Sequence, residues 1–105
     1  ALDPHYDIAM QLVGRAQFAL GRDEDARKSF EQRLAVNPNS DMSRAFLTAI
    51  EGLAGRDAEA RANLEKLLEV NPGFSVAALR TRYPYRSTAV MDRLADGLAK
   101  AGFTE

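Results

Sequence analysis

Few side chains here are suited to chemistry. His5 is the only histidine, it follows Pro4, and the chain has no cysteine. One imidazole without a nearby nucleophile or carboxylate cluster makes neither a nucleophile–base set nor a metal site. His5 therefore reads as an exposed polar residue. Asp23, Glu24 and Asp25 form an acidic run that has the look of a metal cluster. Its place at the start of a helix is reason enough for it, because first-turn carboxylates answer the positive end of the helix dipole. The stretch GRDEDAR lacks the spacing and the Lys-Ser/Thr of a phosphate loop. The expectation is a chain with no catalytic residue, no cofactor and no metal, and not an enzyme in itself. One basic and aromatic cluster remains: Arg80, Arg82, Tyr83, Tyr85 and Arg86. It reads first as a kinked loop with tyrosines packed inward, and second as a surface for a protein or an anion.

Composition narrows the field further. The chain has 105 residues, enough for one small domain with one core. Apolar residues make up 46%, which is globular composition. The net charge of −1 argues against a nucleic-acid partner, which needs a basic excess. No apolar run approaches the roughly 20 residues of a membrane span, so no membrane partner is expected. Cysteine is absent and no signal peptide is visible, which fits a reducing compartment; the expected location is cytoplasmic.

The elements that must position these residues are announced by a repetition. GRDEDARKSFEQRLAVNP, from residue 21, returns as GRDAEARANLEKLLEVNP from residue 55. Pro4, Pro38 and Pro72 keep the same 34-residue spacing. Within each copy the physics of a helical hairpin is legible. Met42, Phe46, Ala49, Ile50 and Leu53 form a helical apolar stripe. Gly21 and Gly55 follow such stripes and end a helix by adopting positive φ. Asp23 and Asp57 start the next helix, and Ala26 and Ala60 are small where helices approach closely. Phe30, Leu34, Leu64, Leu67 and Leu68 supply the second stripe. Asn37-Pro38 and Asn71-Pro72 end it, because a residue before proline leaves the helical region. The reading is all-α, with helices at about 6–20, 23–36, 41–54 and 57–70.

A 34-residue helix–turn–helix period is that of the tetratricopeptide repeat. The chain resembles that family over residues 1 to about 74, through Gly21/Gly55, Ala26/Ala60, Phe30/Leu64 and Pro38/Pro72. On this reading residues 1–5 are the tail of a preceding repeat, 6–40 the first repeat, 41–74 the second and 75–105 a helical cap. The sequence departs from the family at Met10 and Arg44, where a bulky aromatic is usual, at Thr48, where a small residue is usual, and at Gln17 and Glu51, where an aromatic is usual. The cap combines a short helix over 74–82, a turn at Pro84, and a helix from Ser87 or Thr88 to about Ala101. Val90, Leu94, Leu98 and Ala101 face the stack; Asp92, Arg93, Asp96 and Lys100 face water.

The resemblance implies a function. In such repeats ligands lie along an inner groove formed by the first helix of each unit. Here that groove maps to Ile8, Gln11, Arg15, Phe18 and Ala19, then Met42, Ala45, Ala49, Gly52 and Leu53, flanked by Asn39 and Ser40. The lysine and asparagine clamp of chaperone-binding members is not present at these positions. The groove is mostly small and apolar, so it either takes an apolar helix or peptide, or is filled by upstream residues of the same protein; a homodimer is a third outcome. The expected role is a protein-interaction or scaffolding module with a protein or peptide partner. The ending YPYRSTAVMDRLADGLAKAGFTE is also similar to the C-terminal end of bacterial multidomain signalling proteins, in which an adenylate/guanylate cyclase or a winged-helix domain precedes tetratricopeptide repeats. That similarity implies an alternative role in oligomerisation or regulation of such a protein.

Overall fold

The computed structural model describes residues 4–82 and 88–104; the side chains of residues 4–8, 10 and 82 lie outside the description. Among the described residues there are six helices and no strand: α1 (Pro4–Ala19), α2 (Asp23–Val36), α3 (Asp41–Leu53), α4 (Asp57–Val70), α5 (Val76–Arg82) and α6 (Thr88–Lys100). The chain is all-α, and α1–α2 and α3–α4 are two helical hairpins in tandem.

The repetition in sequence is repeated in hydrogen bonds. Gly21 and Gly55 both stand at φ 76°. In the first hairpin the N–H of Arg22 donates to Gln17 O at 2.8 Å and that of Gly21 to Phe18 O at 3.0 Å. In the second, Arg56 donates to Glu51 O at 3.0 Å and Gly55 to Gly52 O at 3.2 Å. These are two Schellman endings, which need a residue in the left-handed region where only glycine is unstrained. The distal turns match as well. Asn37 and Asn71 leave the helical region before proline, and each side-chain Oδ1 accepts from the N–H two residues on, at 3.3 and 3.2 Å. Asp23 and Asp57 are the first residues of α2 and α4; the cap positions before them are Arg22 and Arg56, which make no side-chain cap bond. Ser40 does cap α3, accepting from the Ser43 N–H at 3.3 Å.

The core is one cluster built around α3. Ala26 and Ala60 are fully buried, as close helix approach requires. Phe30 stacks on Phe46 with ring centroids 5.2 Å apart, and Phe18 meets Phe46 edge-on at 5.3 Å. α3 packs against α2, α4 and α6, and every residue from Met42 to Gly52 except Arg44 is buried. α6 lies on α3 with their backbones in contact. A Cβ added to Gly52 would fall 2.2 Å from Gly97 O, and one added to Gly97 would fall 2.5 Å from Ala49 O. Two glycines and Ala49 let the helices approach this closely. α6 ends in a third Schellman turn at Gly102 (φ 107°), which sets Phe103 edge-on to Phe74 at 5.6 Å. The principal extents of 36 × 29 × 26 Å are those of a globule, because α6 folds back on the tandem hairpins instead of extending them.

Candidate functional site

The groove mapped from the sequence is not an open channel. Phe18, Met42, Ala45 and Ala49 are buried, at 1, 3, 0 and 0% exposure, and Gly52 is buried against Gly97. Ala49 and Gly52, read as part of a groove floor, are the seat of α6. The chain's own C-terminal helix covers this face at Ala49 and Gly52. Gln11 is half-buried, and its Nε2 donates to Met42 Sδ. Arg15 is half-buried and engaged, not a free cation lining a groove. Leu53 packs on the core, Ala19 and Asn39 are exposed, and the side chain of Ile8 lies outside the described residues.

α6 is clamped as well as packed. Arg93, expected to face water, instead reaches across to the first hairpin. Its guanidinium lies 4.7 Å from the centroid of the Phe18 ring, and its Nη1 and Nη2 both donate to the Asp23 carboxylate, Nη1 at 2.8 Å. The Asp23 pairing raises the Arg93 pKa. A fork on a carboxylate and a cation over a ring are both geometries that arginine makes well. The wet face of α6 is therefore narrower than its sequence pattern, and Met91, at 5% exposure, joins Leu94, Leu98 and Ala101 on the buried side.

The acidic run is committed to arginines. Asp23 binds Arg93, Glu24 binds Arg27, and Asp25 binds Arg22 at 2.7 Å. Of the basic and aromatic cluster, Arg80 is described and pairs with Asp92 at 2.7 Å, tying α5 to α6. Tyr83, Tyr85 and Arg86, and the side chain of Arg82, fall outside the described residues. Among the described residues no helix is long and apolar enough to cross a membrane.

Two charged residues noted in the sequence only as departures from the family pattern are drawn inward. Glu51 is 4% exposed on α3, where burial outweighs the nearby Arg56 and raises its pKa. Arg56 Nη1 is 3.6 Å from its Oε2, too far for a hydrogen bond. Arg44, also on α3, donates from Nη1 to Asn63 Oδ1 at 3.0 Å, and burial lowers its pKa. Both stand where the resemblance to tetratricopeptide repeats implies an aromatic, and that departure was the available signal.

The exposed large apolar side chains among the described residues fall in α1, in the turn just after it and at the end of α2. Leu12, Val13 and Leu20 are 49, 44 and 74% exposed, and Val36 of α2 is 37% exposed. Set against family models, characterised proteins and solved structures, the chain finds no match.

Proposed function

We propose that this chain is a protein-interaction or scaffolding module of tetratricopeptide type, and that it meets its partner through the outward face of α1. One observation carries the reading. Leu12 and Val13 are 49 and 44% exposed, whereas their counterparts one repeat later, Phe46 and Leu47, are 2 and 4% exposed. In the second hairpin that position is covered from the preceding hairpin, Phe46 stacking on Phe30 of α2. The same helical face in the first hairpin is left for another apolar helix to cover. The partner is thus a protein presenting such a helix, not a nucleic acid, for which the near-balanced charge gives no basic surface. The tail's resemblance supports placing the module at the C-terminal end of a cytoplasmic bacterial signalling protein. There a second copy is the alternative partner, and dimerisation the regulated step.

Sedimentation across a range of concentrations, with wild type and the Leu12→Glu/Val13→Glu variant, tests this together with affinity capture of binding proteins by both forms. A dimer or a captured partner present with wild type and lost with the variant supports α1 as the contact. A strict monomer that captures the same proteins in both forms, or none, removes it.

A further inference from the structure

Arg44 differs from five other arginines in its charge balance. Arg22, Arg27, Arg56, Arg80 and Arg93 each face a carboxylate. Arg44 makes no ion pair among the described residues. One of its N–H groups is given to the Asn63 amide, and its Nε is enclosed without a hydrogen-bond partner. A half-buried guanidinium that has lost part of its water and gained no anion is a costly arrangement for a fold to keep, and an oxyanion on its open nitrogens is the ligand that offsets it.

The space beside it fits such a ligand. Arg44 lines a cleft of about 620 Å³ with Pro38, Asn39, Lys66, Glu69 and Val70. Lys66 and Glu69 are only loosely paired, at 3.9 Å, and both are mostly exposed. Two cations and one carboxylate leave a single positive charge, which matches a monoanion. Glu69 sets its own negative charge against a phosphate dianion. Pro38 and Val70 offer apolar wall, and the Asn39 amide is a further donor.

The geometry points to a binding site for a small carboxylic acid, its carboxylate held by Arg44 and Lys66 and its apolar group set against Pro38 and Val70. The site lies at the turn between the hairpins, apart from both the α6-covered face and the open face of α1, and does not depend on the interaction proposed above.

Titration of the full chain, followed through its backbone amide resonances, tests this with N-acetyl-leucine as the probe. N-acetyl-leucine amide is the neutral control, and inorganic phosphate the competing oxyanion. The expected result is a saturable shift centred on residues 38–39, 44 and 66–70 with the acid and none with the amide. Affinity for the acid falls at least about tenfold in Arg44→Gln, since a charged hydrogen bond is worth that much. Circular dichroism checks that the variant folds, and Lys66→Gln, on the exposed side of the cleft, provides a second loss that does not risk the core. A leucine-terminated hexapeptide separates two sources of the carboxylate: tighter binding than the free acid assigns it to a chain end, equal or weaker binding to a small acid. No saturable shift, an equal response to the amide, phosphate binding tighter than the acid, or undiminished binding in Arg44→Gln overturns the proposal.

Discussion

Gly97 is the position at which α6 and α3 touch through their backbones. A methyl there meets the Ala49 oxygen at 2.5 Å and its Cα at 2.8 Å, atoms that cannot rotate away. Gly97→Ala is expected to cost about 1–3 kcal/mol and to lower Tm by roughly 5–15 °C in a thermal melt. Gly73→Ala is the control: the nearest atom is 3.8 Å away, so Tm should hardly move. Glu51 is the second residue whose environment predicts a measurement. Burial raises its pKa above the ordinary 4.5, so between that value and the raised one the folded chain holds a proton that the unfolded chain has released. Stability contributed by Glu51 is present below pH 4.5 and is lost as the pH rises through the raised pKa. Glu51→Gln should flatten this part of the pH profile and stabilise the neutral protein by about 1 kcal/mol, read from urea unfolding at several pH values. A variant less stable than wild type at pH 7 would show that the Arg56 contact outweighs burial.

At the scale of elements, the docking of α6 decides what surface the protein offers. Leu94, on the inner side of that helix, is 0% exposed. Leu94→Asp would bury an unpaired carboxylate there and should cost several kcal/mol, seen as a large fall in the unfolding midpoint. Arg93→Leu tests the clamp separately. It should loosen α6 and speed proteolysis within it, while leaving the melting of the tandem hairpins less affected. The helices themselves were legible because each boundary carries local chemistry: Gly21 and Gly55 at positive φ, and asparagine before proline at the far ends. The seat of α6 was not legible as a seat. Ala45, Ala49 and Gly52 read equally well as an open groove floor or as a place where another backbone approaches. Only the partner glycine at 97, remote in sequence, distinguishes the two. Arg93 was misassigned for a related reason, since its position on the wet side of a helix says nothing of an Asp23 supplied by another helix. The family resemblance marked Arg44 and Glu51 as departures, but it does not say what a charge in an expected aromatic position will meet.

At the scale of the whole molecule, α3 is enclosed by α2, α4 and α6, while α1 packs mainly on α2, touches α3 and α6 through Gln11 and Phe18, and leaves Leu12 and Val13 exposed. That difference can be read as a clock. Backbone amide protons in the middle of α3, from Ala45 to Gly52, can reach solvent only when neighbouring helices on three sides have separated. In deuterated buffer they should exchange at the rate set by global unfolding, whereas those of α1 exchange much sooner through local fraying. Fast exchange in α3 would mean that α6 leaves its seat without the rest of the fold. The enclosed helix therefore serves as an internal timer, recording how often the tandem hairpins and the helix folded over them come apart together.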